Sequence, residues 1–180
     1  ITPMSDDPVK TKVKVDGQVL DFQEYFVKRG APGRVEEVFF EGAEKASPAP
    51  GIIEAIEGAE RIIICPSNPI LSISPILSIS AIKKALKSID APIVGVSPIV
   101  GGRAIKGPLA LIMESMGMEV SAYGVAKFYD RLLTHFIIDE VDVEHKARIE
   151  RLGLKVTVAN TLMKSLEDSI RLAKVVMETC

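Results

Sequence analysis

Two loops of this chain gather residue types that can hold an anion. The first is Pro66-Ser67-Asn68-Pro69, with Ser72, Ser74 and Pro75 close behind. Its prolines restrict the backbone, while hydroxyls, an amide and free backbone N–H groups near a helix start are suitable donors for a phosphate. An ordinary β-to-α turn capped by Ser and Asn would have the same composition, so the residues leave both readings open. The second loop runs from Ser97 through Gly101-Gly102-Arg103 to Lys106-Gly107-Pro108. The glycine pair lets backbone approach a ligand closely, Arg103 and Lys106 add positive charge, and Pro108 suits the first turn of a following helix. That set suits a diphosphate; a solvated basic loop is the plain alternative. This second loop has neither P-loop nor G-x-G-x-x-G spacing.

Other reactive residue types are less organised. Phosphoryl transfer commonly uses a magnesium ion held by carboxylates and substrate oxygens. The acidic clusters are Asp6-Asp7 and Asp139-Glu140 with Asp142. Adjacent acids on a strand point to opposite faces, so each cluster reads as a turn or a solvated edge. His135 and His145 lack a Ser, Cys or Asp at a spacing that identifies a triad, and His135, just ahead of an apolar run, reads as structural. Cys65 reads as a small hydrophobe closing a buried strand. No covalent mechanism is called for.

Loops of this kind bind ligands where they leave the carboxyl ends of parallel strands. The chain supplies that scaffold: from residue 34 onward, Val- and Ile-rich runs alternate with helical patterns. The expected strands are 35–40, 61–65, 92–97, 119–122, 136–139 and 155–159. Ile62-Ile63-Ile64 and Ile93-Val94-Gly95-Val96, apolar on both faces, are expected at the centre of the sheet. Helices are expected at 51–57, 79–88, 108–116, 145–152 and 165–177. In the last of these, Leu166, Ile170, Ala173 and Met177 form the apolar stripe, and Ser165 with Asp168 suggests a capping box. The directly repeated Pro-Ile-Leu-Ser-Ile-Ser at 69–80 is expected to be a loop running into a helix.

Ahead of the sheet, Val9, Thr11, Val13 and Val15 alternate with lysines and lead to Asp16-Gly17, a tight-turn pair. Phe22, Tyr25 and Phe26 follow at helical spacing, as a core-packing face. The fold class is therefore α/β: a three-layer, Rossmann-like, mostly parallel sheet over 34–180, with a small hairpin and helical appendage over 1–33.

A net charge of −2, from 22 basic and 24 acidic residues, with 47% hydrophobic residues, excludes a disordered chain and disfavours a nucleic-acid partner held by phosphate neutralisation. No apolar run is long enough for a membrane span. Cys65 and Cys180 are too few for a disulfide-built secreted fold, which points to a reducing cytoplasm. The chain opens without an initiator Met and is expected to be part of something longer.

Taken together, ITPMSDDPVKTKV at 1–13, FQEYFVKR at 22–29, ICPSNPILSISPIL at 64–77 and APIVGVSPIVGGRAIKGP at 91–108 resemble the 2-phospho-L-lactate transferase family of deazaflavin-coenzyme biosynthesis. VSAYGVAKFY at 120–129 and FIIDEVD at 136–142 extend the resemblance over essentially the whole chain. It implies a transferase moving the 2-phospholactyl group from lactyl-2-diphospho-5′-guanosine, or its enolpyruvyl analogue, to a ribityl hydroxyl of the deazaflavin Fo. GMP is released, with magnesium as the cofactor. Ser67, Asn68 and Pro69 would line the nucleotide-phosphate site, with Ser97, Gly101, Gly102 and Lys106 beside it and Asp6 and Asp7 near the substrate cleft. The resemblance assigns no metal ligand within the chain, because the family's Gly-rich first βα turn and magnesium-holding acids lie upstream. Two rivals stand beside it. One is a non-catalytic nucleotide-sugar-binding regulator of similar fold, which the Pro-Ser-Asn-Pro loop disfavours. The other is a homodimerising scaffold that uses Phe22, Tyr25 and Phe26.

Overall fold

Alternation of apolar and charged residues sets the first elements. A computed structural model describes every residue except Pro32, Lys106, Asp130 and Cys180. In chain order it contains β1 (Lys10–Val15), β2 (Gln18–Asp21), β3 (Val35–Glu41), α1 (Ile52–Glu57) and β4 (Ile62–Ile64). Next come α2 (Ser74–Ser78), α3 (Ser80–Ser88), β5 (Ile93–Val96), β6 (Ile99–Val100), β7 (Arg103–Ala104) and α4 (Leu109–Ser115). Then follow α5 (Ala122–Phe128), β8 (His135–Ile138), α6 (Lys146–Glu150), β9 (Lys155–Val158) and α7 (Leu166–Glu178). The chain divides into two compact units, one of Ile1–Gly58, Asn68–Ile89 and Leu111–Met118, the other of Ala59–Ser67, Asp90–Ala110 and Glu119–Cys180.

The first unit holds an antiparallel sheet in the order β2-β1-β3. Asp16 and Gly17 make the expected tight turn, both at positive φ. Residues 35–40, expected in the parallel sheet, instead pair with β1, from Lys10↔Glu41 to Val15↔Val35 across a bulge. The reason lies in the side chains of β3. Val35 is buried while Glu36 and Glu37 face solvent, as in a sheet with one wet face, and Lys14 and Lys12 meet Glu36 and Glu41 across it at 3.5 Å. Beneath the sheet, Val13, Val15, Tyr25 and Val35 form a core against which Phe22 and Phe26 pack, their rings stacked at 5.6 Å. Tyr25 is only 1% exposed, so the aromatic face is core, as its spacing predicts, and Tyr25 cannot serve as a docking residue.

The hexapeptide repeat is helical rather than a loop. A π-turn over Pro69–Ile73 runs into α2, and Ile79 breaks the path before α3 with extended backbone and a fully buried side chain. Hydroxyls of Ser74 and Ser78 donate to the carbonyls of Pro69 and Pro75, which ties one serine of each copy to the helical turn before it. No single helix among the described residues is long and apolar enough to cross a membrane.

The second unit carries the parallel sheet, in the order β4-β5-β8-β9 with every pair parallel. The α/β class with a parallel sheet and a small antiparallel companion is thus the one expected. Strands β5 and β8, buried at every residue, are central. The expected centre at Ile62–Ile64 is an edge among the described residues, and Ile63 is accordingly 42% exposed. Residues 119–122 are not a strand: Ser121 accepts a hydrogen bond from the Gly124 amide at 3.0 Å and caps α5 instead. Cys65 is exposed rather than packed, and Cys180 lies outside the described residues.

Helix α7 has the expected capping box of Ser165 and Asp168 but docks through the other face. Leu172 and Val176 pack on Val94, Val96 and Ile137, whereas Leu166, Ile170 and Met177 of the expected stripe face solvent. Spacing identified an amphipathic helix, yet with apolar residues on more than one face it could not choose between them.

His135 opens β8 beside Lys155 of β9, with its Nδ1 2.9 Å from the Thr134 hydroxyl. Burial, helped by the Lys155 charge, lowers the pKa of its imidazole. A base whose folded pKa is depressed binds fewer protons than in the unfolded chain, so stability falls as pH drops below the ordinary histidine range. We expect the thermal midpoint to decline between pH 7.5 and 5 and His135→Gln to lessen that decline. An unchanged slope in the variant would assign the decline to other groups.

Candidate functional site

The first candidate loop leaves β4 through Cys65, Pro66 and a half-buried Ser67. Asn68 is then the cap of the helical turn that follows, with Pro69 at its first position. Its Oδ1 accepts from the amides of Ile70 and Leu71, each at 3.0 Å, and its carbonyl accepts from Ser72 at 2.9 Å. Two backbone donors on one side-chain atom fix that atom as oxygen, so the other must be the NH2 group. That Nδ2 is buried and has no hydrogen-bond partner. Leaving a buried donor unmet costs about 1–3 kcal/mol, and a ligand oxygen at that position would recover it. Asn68 is therefore both the cap of the plain reading and an unspent donor of the functional one.

The second loop is tighter than a glycine-rich loop needs to be. β6 and β7 form a two-stranded antiparallel hairpin, Ile99↔Ala104 and Val100↔Arg103, turned by Gly101 and Gly102 at φ of 57° and 71°. Positive φ at both turn positions is the reason for two glycines. Ser97 is fully buried; its hydroxyl donates to the Ile99 carbonyl at 2.8 Å and accepts from the Ile99 amide at 3.2 Å, so it shapes the loop from within. Gly101 donates its amide to both oxygens of the Asp142 carboxylate, at 3.0 and 3.1 Å. Gly102 and Arg103 are exposed, and Lys106 lies outside the described residues.

Asp6 and Asp7 sit on an exposed strap laced to residues 47–49. Asp7 accepts the Ser47 amide at 2.9 Å, the Ser5 hydroxyl donates to the Ser47 carbonyl at 2.6 Å, and Ala49 donates its amide to the Met4 carbonyl at 3.1 Å. The expected site residues thus fall into three local groups: Asn68 and Pro69 on one cap, Ser97, Gly101 and Gly102 on one hairpin, Asp6 and Asp7 on one strap.

The acids at 139–142, expected as a turn or a solvated edge, do form a turn, but with Asp139 and Asp142 buried. Asp139 caps the 3-10 turn Glu140–His145 by accepting from Val141 at 3.2 Å, and its other oxygen accepts from the amide and hydroxyl of Thr161 at 2.8 and 2.9 Å. Asp142 is 2% exposed and burial raises its pKa. A further cluster has no signature in the sequence. Arg148 makes a two-point pair with Glu119, at 3.1 and 2.8 Å, while its guanidinium lies 3.9 Å over the Tyr123 ring. That pair, with the Ser121 hydroxyl, holds the Glu119 carboxyl below its usual range. Nothing in the spacing of residues 119, 123 and 148 announces it.

The described residues do not by themselves supply a magnesium site. Among those described, no three His, Cys, Asp or Glu side chains gather to hold a metal ion, and the oxygens of Asp139 and Asp142 are spent on Val141, Thr161 and Gly101.

Residues 1–173 match the model of the family described as 2-phospho-L-lactate transferase CofD. The chain belongs to that family. Within the CofD family it is similar to the 2-phospho-L-lactate transferase of Methanocaldococcus jannaschii, with 43% identity over 100% of this chain and 58% of the relative. The Methanosarcina mazei protein of the same name is 42% identical over 99% of this chain and 58% of its own length. The chain therefore spans a little under three-fifths of the CofD relatives it matches. Among solved structures, a UPF0052 family member from Bacillus halodurans superposes with a TM-score of 0.62, at 16% identity over 98% of this chain and 60% of that one. That likeness shows the shared fold.

Proposed function

We propose that this chain carries the donor-phosphate portion of a 2-phospho-L-lactate transferase. The donor is lactyl-2-diphospho-5′-guanosine or its enolpyruvyl analogue, and the acceptor is the deazaflavin Fo. In the transfer, the terminal ribityl hydroxyl of Fo attacks the phosphorus that bears the lactyl group. A new P–O bond to Fo forms, the P–O bond to the bridging oxygen breaks, GMP leaves with that oxygen, and the hydroxyl proton passes to solvent. Such a reaction asks a protein for alignment and for donors placed where charge builds up, rather than for a nucleophile. The observation that carries the reading is the unspent, buried Nδ2 of Asn68 at the start of a helical turn, in a chain that matches the CofD family along nearly its whole length. The same reading makes the protein cytoplasmic, with small molecules rather than nucleic acid or membrane as partners, in keeping with its near-balanced charge.

The test is GMP release with Fo, magnesium and each guanylyl donor, assayed on the 180 residues and on the chain lengthened to match its relatives. Release that depends on Fo is expected, and the better donor fixes the substrate. No release from either form, together with tight binding of a nucleotide sugar, would replace this reading with the regulatory one.

A further inference from the structure

The Gly101-Gly102 turn is the least self-defining pair of residues a hairpin can have, because glycine populates left- and right-handed backbone almost equally. Here it is pinned from outside the hairpin. Both oxygens of Asp142, 41 residues away, take the Gly101 amide, and Val141 packs within 3.7 Å of where a Gly101 side chain would begin. Asp142 stands on the 3-10 turn that Asp139 caps and Thr161 anchors, so the grip is built on a rigid base. The arrangement is costly, since a carboxylate at 2% exposure is largely stripped of water, and its charged neighbours are Asp139, Glu144 and His145. An amide spent inward on a carboxylate cannot also face a phosphate. Of the turn's own residues, the exposed Gly102 and Arg103 are left to meet a ligand.

We infer that Asp142 is a positioning residue: by holding the Gly101 amide it fixes the Gly-Gly turn in the shape that presents Gly102 and Arg103 to a diphosphate. This rests on the donor-phosphate reading above. The test compares Asp142→Ala, which removes the acceptor, with Asp142→Asn, which keeps an oxygen for the amide without the buried charge. Two readouts are needed: amide hydrogen exchange at Gly101, and binding of GDP by titration calorimetry.

In Asp142→Ala the Gly101 amide should exchange at least about tenfold faster and the GDP Kd should rise about tenfold, while Asp142→Asn stays within about threefold of the parent in both. Restoration by Asn, with a melting temperature at or above the parent, separates positioning from a general loss of fold. Unchanged Gly101 protection in the Ala variant would overturn the inference. So would faster exchange with unchanged GDP affinity, which would leave Asp142 a purely structural anchor. If the parent chain itself fails to bind GDP, the donor-phosphate reading falls and takes the ligand half of this inference with it; the exchange data then decide alone whether Asp142 sets the turn.

Discussion

Replacing Asn68 with aspartate should weaken donor use about a hundredfold while leaving the fold intact. The aspartate oxygen can still accept from Ile70 and Leu71, and a negative charge at the start of a helical turn is tolerated or favoured, so the cap survives. What disappears is the buried NH2 donor, and a carboxylate oxygen stands in its place. Against a diphosphate, that exchanges a hydrogen bond for a repulsion. A loss of about 3 kcal/mol corresponds to roughly a hundredfold weaker GDP binding and a comparable fall in kcat/KM for GMP release. Asn68→Ala gives the complementary result: it too loses the donor, but also the cap, worth about 1 kcal/mol of stability. Calorimetric titration with GDP and thermal melts of the two variants separate these effects. An Asn68→Asp variant that binds GDP as well as the parent would remove Asn68 from the phosphate site.

The second large effect is expected at Gly42. Its φ of +92° is a backbone conformation that side chains other than glycine rarely adopt, and an added Cβ would run into the Pro8 carbonyl oxygen. Backbone on backbone leaves no flexible side chain to swing aside. Gly42→Ala should therefore cost about 3 kcal/mol, and in a chain of this size lower the melting temperature by about 10 °C. The damage should be local first. The strap carrying Asp6 and Asp7 lies over this corner through the Met4, Ser5 and Asp7 hydrogen bonds, so the Ser47 and Ala49 amides should lose exchange protection before the strands of the parallel sheet do. A variant that melts with the parent and keeps those two amides protected would show that the strap can shift without penalty.

How far the sequence spoke depended on whether a signal was local. The Asp16-Gly17 turn, the Ser165 capping box, the helices near 51–57 and 79–88 and the strands at 92–97 and 136–139 are all encoded within a few residues, and all are present. The Asn68 cap was legible for the same reason. Partner choice was not. Val35–Glu41 reads equally well as a parallel or an antiparallel strand until β1 is seen beside it, and Ile62–Ile64 reads as central because its composition does not record how many neighbours it has. The grip of Asp142 on Gly101 and the stack of Arg148 on Tyr123 join residues 41 and 25 positions apart, and no periodicity foretells either. Helix α7 shows the intermediate case, in which the element and its cap are local but the buried face is chosen by the sheet beneath it.

The interleaving of the two units bears on how the protein is made. The first unit takes its pieces from 1–58, 68–89 and 111–118, and Arg34 donates to the Ser115 carbonyl across 81 residues at 2.8 Å. A ribosome delivering the chain from its N-terminus has produced the whole antiparallel sheet by residue 41, yet the unit it belongs to is complete only after residue 118 emerges. By then the strands Ile62–Ile64 and Ile93–Val96 are already outside the exit tunnel, and Val94 and Val96 of the second wait for β8 and the last helix to cover them. During that interval the nascent chain exposes apolar strand surface, the interval in which holdase chaperones act and in which a stalled or truncated product is most prone to associate. No single cut in the sequence yields two fragments that each keep a whole unit, so neither unit can be excised as one continuous segment.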